Sequence, residues 1–180
     1  MTLESFLSTD RRSDISSPRH VFIVTLVNTK WWFSLAFSKQ LSNEIVINSS
    51  ANRLWALITD FEDFPRWNPF IRRATGEIKT GATLEVFIQP SGTKGMTFRP
   101  KVLKVDPNNE LRWLGRLYLP WLFDGEHALI IEPSSENSVK FVQREKFTGL
   151  LVPFARSLFR DTQRGFEEMN KALKKRAEQQ

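Results

Sequence analysis

Pro153–Ala177, PFARSLFRDTQRGFEEMNKALKKRA, is the stretch on which the fold turns. Ala155, Leu158, Phe159, Thr162, Phe166, Met169 and Leu173 recur at a 3.6-residue period, so they share one face of a helix. Arg156, Arg160, Arg164, Glu167, Lys171 and Lys174 occupy the other face. Pro153 suits a first helical turn, where a missing N–H costs nothing. Lys174, Lys175 and Arg176 fall where a helix end favours cations. A stripe of this length needs a broad apolar partner, and the segments before it read as strands that can supply one.

Those strands alternate with period two. Leu84, Val86 and Ile88 share a face between turns marked by Gly81 and by Pro90-Ser91-Gly92. Met96–Val105 reads as one strand, with Pro100 at an edge or bulge. Asp106-Pro107-Asn108-Asn109 is a turn. Leu111, Trp113, Gly115 and Leu117 alternate next, and Pro120–Gly125 reads as a loop. His127, Leu129 and Ile131 share a face of the following strand, Pro133–Ser138 forms a hairpin connection, and Phe141, Gln143, Glu145 and Phe147 share a face of the last strand. Upstream, Glu44–Ile47 is a short β-branched strand. Asn48–Ala51 offers helix-capping chemistry before Arg53–Thr59, and Asp60–Trp67 is an aromatic-dense turn or second short helix. Short connections make the sheet antiparallel. The expectation is an α+β domain: a curved antiparallel sheet of about six to seven strands gripping the long C-terminal helix, with two short helices after the first strand.

The 180 residues are enough for one domain with a real core. There is no Cys, which removes disulfides, thiolate metal sites and a cysteine nucleophile, and fits a reducing, cytoplasmic setting. Of the net +6, residues 1–40 carry +2, residues 153–180 carry +3 and the body 41–152 only +1. The basic excess therefore sits in the tails rather than in a patch that reads nucleic acid, so no nucleic-acid partner is expected. Two His and no Cys argue against a metal site. Ser91-Gly92-Thr93-Lys94-Gly95 lacks Walker spacing and no Gly-x-Ser-x-Gly occurs, so no cofactor and no serine nucleophile are expected.

Residues 1–42 read as an N-terminal extension and 43–180 as the domain. Met1–Pro18 is polar and Ser-rich. Val21–Phe37 is apolar but interrupted by Asn28, Thr29 and Lys30, too short and too polar at its centre for a good membrane span. It reads as an appended hairpin or helix, as a peripheral membrane contact with Trp31 and Trp32 at headgroup level, or as an ill-packed extension. The second reading gives an alternative, membrane-associated location.

Ile45–Ile71, with Trp55, Leu57, Asp60, Phe61, Phe64, Pro65, Trp67, Asn68 and Pro69, resembles the opening of SRPBCC domains of the polyketide cyclase/dehydrase and lipid-transport type. Leu111–Gly115, Leu122–His127, Arg144–Gly149 and Phe166–Lys174 are similar to one bacterial branch of that superfamily, which shares the helix-grip fold with START domains. The resemblance covers about residues 43–177. It implies an apolar cavity between sheet and helix that holds a small hydrophobic molecule.

Candidate ligand-binding residues are Trp113, His127, Leu129, Phe141, Glu145, Phe147, Leu158, Phe166 and Met169. If Ile131 pairs with Phe141, His127 falls opposite Glu145, with Cβ atoms about 5 Å apart. That pair reads as a polar anchor or an acid/base couple in an apolar pocket, or as a buried pair that sets register. A one-residue slip turns both outward. Three function classes follow: binding of a lipid-like or aromatic molecule, a cyclase- or hydrolase-like enzyme using His127 and Glu145, and a membrane- or partner-docking module. No oligomeric state is read from the chain.

Overall fold

The computed structural model describes residues 37–117 and 119–179. The Val21–Phe37 run, apart from Phe37 itself, lies outside the described residues. The order is β1 (Ser38–Ile47), α1 (Ala51–Thr59), α2 (Phe64–Trp67), β2 (Ile71–Thr75), β3 (Glu85–Ile88), β4 (Met96–Phe98), β5 (Lys101–Asp106), β6 (Glu110–Arg116), β7 (Asp124–Ser135), β8 (Ser138–Thr148) and α3 (Arg156–Glu178). This is the α+β helix-grip architecture. Its strands divide into a five-stranded antiparallel sheet, β1-β8-β7-β6-β5, and a three-stranded sheet, β2-β3-β4.

Several expected boundaries move, each for a local reason. Met96–Val105 is two strands in two sheets, because Pro100 lacks the N–H that would continue the ladder. β1 begins at Ser38 rather than at Glu44, since its polar first half pairs with β8 through Ser38–Thr148. The Pro120–Gly125 loop ends early, at Asp124, which pairs with Arg116. Pro133 lies inside β7, opposite Val139, with an irregularity beside it. Pro153 belongs to a separate 3-10 turn, Val152–Phe154, and α3 starts after it.

Inward side chains of the five-stranded sheet form rows across it. One row is Trp113, His127, Glu145 and Leu41; the next is Leu111, Leu129, Gln143 and Asn43. α3 lies over these rows with Thr162, Gly165, Phe166, Met169, Asn170, Leu173 and Ala177 buried. Leu129, Phe141, Phe166, Met169 and Leu173 have essentially no exposed surface, and each such side chain contributes about 1.5–3 kcal/mol of transfer free energy.

The C-terminal half of α3 is held by polar contacts as well. Asn170 accepts from Gln143 Nε2 at 2.6 Å and donates to Asn43 Oδ1 at 2.6 Å, which joins β8, helix and β1 inside the core. Arg53 Nε donates to the Ala177 carbonyl at 2.7 Å, so a cation from α1 caps the negative end of the helix. Arg176 pairs with Asp63 at 2.9 Å.

Gly165 lets the helix approach: a Cβ there would lie 2.1 Å from the Phe70 ring. Asn68 in turn fixes Phe70, because its Oδ1 accepts from the Phe70 and Ile71 N–H groups at 3.0 and 2.9 Å. Phe61, Phe64 and Trp67 pack edge-on as core rather than around a pocket, at 5.2 and 5.4 Å between ring centres.

Candidate functional site

The row beyond Trp113–His127–Glu145 contains Gly115 opposite Gly125. Two inward positions without side chains leave the sheet bare, and the first turns of α3 do not descend to fill the space. The result is a cavity of about 310 Å³. Trp113, Phe123, Phe147 and Phe70 wall its inner part. Ile88, Met96 and Phe98 of the small sheet form one side, and Leu158 and Thr162 of α3 form the roof. Lys94, Arg116 and Asp161 stand at the mouth, and Asp161 holds Arg164 at 3.0 Å.

His127 and Glu145 face each other at the inner end. The pairing of β7 with β8 puts them directly opposite, with Ile131 opposite Phe141, and His127 Nδ1 lies 2.7 Å from Glu145 Oε2. Gly125 makes room for this carboxylate, since a Cβ at that position would lie 2.6 Å from Glu145 Oε1. The imidazole is stacked on Trp113, ring centres 5.0 Å apart and planes at 22°, and meets the Phe166 edge at 5.1 Å. It is only 1% exposed. Its Nε2 is buried without a hydrogen-bond partner among the described residues. In a neutral imidazole the bond to Glu145 places the proton on Nδ1 and makes Nε2 an acceptor, and a buried acceptor left unpaired costs about 1–3 kcal/mol. Glu145 is the member of the pair with more accessible surface, its side chain 14% exposed.

Among the residues singled out from sequence, Trp113, His127, Glu145, Phe147 and Leu158 lie on the cavity wall. Leu129, Phe141, Phe166 and Met169 do not; they are core residues, because α3 sits flush on the sheet where they lie. The small-sheet wall, Phe70 and Phe123 went unrecognised. Gly115 and Gly125 carried a usable signal, a glycine in an inward slot of each of two strands, but Gly125 reads as loop until β7 is seen to start at Asp124. Among the described residues, no cluster of His, Asp and Glu is suited to a metal ion.

Fold and cavity together define a helix-grip protein with an interior chamber. The chain belongs to the polyketide cyclase/dehydrase and lipid-transport family, whose model matches residues 38–178. Its fold is that of the Zhui aromatase/cyclase from Streptomyces sp. R1128, with a TM-score of 0.65, 12% identity, and 79% of this chain and 94% of that one covered. It is equally that of a START superfamily protein from Mycobacterium smegmatis (0.61, 21%, 78% and 97%). A norcoclaurine synthase point mutant from Thalictrum flavum, in complex with a transition-state analogue, is also similar (0.62, 16%, 79% and 95%). No curated protein matches in sequence.

Proposed function

We propose that the chain binds a small hydrophobic molecule, lipid-like or aromatic, in the chamber between the sheet and the first half of α3. One observation carries this reading: an apolar cavity of about 310 Å³, walled by Trp113, Phe123 and Phe147, reaches the His127–Glu145 pair. The volume is at the low end of the roughly 300–1,000 Å³ typical of small-molecule sites, and an apolar wall with few convergent polar groups is their usual lining. Burial of the ligand's apolar body drives binding. A hydroxyl or amide N–H on its inner end donates to the Glu145 carboxylate, which the bond to His127 Nδ1 holds in place.

The test is organic extraction of the purified full-length chain followed by mass identification, with Gly115→Leu as the control. A Cβ at Gly115 meets nothing nearer than 3.8 Å, so the larger side chain has room to enter the chamber. An apolar molecule that copurifies with the wild type and is lost from the folded Gly115→Leu variant supports the reading. A wild-type chain that carries none and takes up no fluorescent apolar probe refutes it.

The same dyad favours a second reading, acid/base catalysis in the chamber. Here the Glu145 carboxylate takes a proton from the bound molecule, and the bond to His127 Nδ1 holds it in position. Glu145→Gln separates the two. Catalysis requires loss of turnover with affinity largely kept, whereas an anchor alone predicts weaker binding and no turnover in either protein.

A further inference from the structure

We propose that the chain docks on an anionic lipid surface through an apolar patch beside the chamber mouth. Two loops build it, one connecting β6 to β7 and one connecting β8 to α3. Their backbones are hydrogen-bonded to each other: Leu150 N–H donates to the Trp121 carbonyl and Leu151 N–H to the Leu122 carbonyl, both at 3.1 Å. Backbone order here is accompanied by side-chain exposure rather than burial. Phe154 is 83% exposed, Leu119 56% and Trp121 55%, and Leu150, Leu151 and Leu158 are exposed beside them. Exposed apolar residues scattered singly need no explanation, but five on two interlocked loops, with Leu158 of α3 beside them, do.

Charge names the occupant. Residues 116–123 and 149–160 contain Arg116, Arg156 and Arg160 and no Asp or Glu. Arg116 reaches Asp124 at 3.6 Å. Arg156 and Arg160 form no ion pair among the described residues. A bulky aromatic and aliphatic tip with an arginine rim matches the acyl–headgroup boundary of an anionic leaflet, where Trp sits at headgroup depth and each cation meets phosphate. Leu158 belongs both to the patch and to the chamber wall. The docked chain therefore turns its mouth toward the lipid, and an apolar molecule passes between chamber and bilayer without crossing water. No described helix is long and apolar enough to cross a membrane, so the contact is peripheral.

Flotation of the full chain with phosphatidylcholine vesicles, with and without phosphatidylserine, tests this. We expect partition that rises with phosphatidylserine and falls with salt. It should drop about tenfold in Trp121→Ser/Phe154→Ser, whose exposed side chains leave the fold intact by near-ultraviolet circular dichroism. Arg156→Glu/Arg160→Glu should erase the preference for phosphatidylserine. Trp31→Ser/Trp32→Ser should change little. The proposal is overturned by absent flotation, by flotation indifferent to the Trp121/Phe154 change, or by loss that follows the Trp31/Trp32 change instead. It is also overturned by a self-association that consumes the patch, seen as a dimer that Trp121→Ser/Phe154→Ser dissolves. Probe uptake into the chamber is read separately, so its failure is distinguishable from failure of docking.

Discussion

The two ends of α3 present the same amphipathic stripe to the same sheet and reach opposite outcomes. At the C-terminal end, Phe166, Met169, Asn170 and Leu173 are buried flush, and Gln143 donates to Asn170, which donates to Asn43, across three elements. At the N-terminal end, Leu158 is exposed, no side chain caps the helix, and a chamber opens beneath it. The stripe is not what differs. The sheet offers Phe141 and Gln143 under one end and the Gly115–Gly125 pair under the other. A helix can be pressed down only where something fills the space below it, and a missing pair of side chains becomes a binding chamber because the far end is anchored well enough to hold the near end up.

The comparison breaks most sharply at the hinge between the two ends. Gly165→Leu drives side-chain atoms into Phe70 and should cost about 3 kcal/mol in a denaturant melt, as overpacking does at a tight contact. A near-neutral result would show that the helix is not seated as described. Next is the closed end. Asn170→Ala should cost about 2 kcal/mol by removing the donor to Asn43 and the nearer acceptor of Gln143 Nε2, which keeps only the Phe166 carbonyl at 3.3 Å, whereas Gln143→Leu combined with Asn170→Leu should recover much of that. Equal losses in the two variants would mean that polar satisfaction does not govern this end.

At the open end Gly115→Leu should change stability by less than about 1 kcal/mol while excluding ligand, since the added side chain occupies existing space. A large loss in melting temperature would place the chamber elsewhere.

The smallest effect concerns pH. Hydrogen bonding from Arg66, and then from Arg176, outweighs burial and holds the Asp63 carboxyl below the usual carboxylate range. A depressed folded-state pKa gives stability that is complete above the unfolded value of about 3.9 and is lost as pH falls through the lower folded value. Asp63→Asn should therefore lower the melting temperature near neutrality and flatten its decline below about pH 4, the limb that this carboxylate supplies. An unchanged acid limb would remove Asp63 from the anchoring of α3.

Much of the fold was legible because periodicity is a local property. The 3.6-residue stripe after Pro153 marks α3, and alternation in β7 and β8 puts His127 opposite Glu145 once one pair is aligned. Turn chemistry was less reliable. Pro100 divides a strand and Pro133 does not, a distinction that depends on whether a neighbouring strand needs the missing N–H. Core and chamber wall were not separable in advance. Phe166 and Phe147 look alike as apolar residues on a buried face, yet only Phe147 borders the chamber.

Residue order alone determined the element types and the alternation of faces along each strand, and it offered the dyad on condition of one register, because backbone geometry ties these to spacing along the chain. Packing decided the rest: where α3 touches, where it stands off, and that Glu145 of the pair borders the chamber while Nε2 of His127 is buried. Those outcomes depend on volumes brought together from distant segments, Gly115 with Gly125 and Gly165 with Phe70. Volume is summed over neighbours in space, and no local pattern records which neighbours those will be.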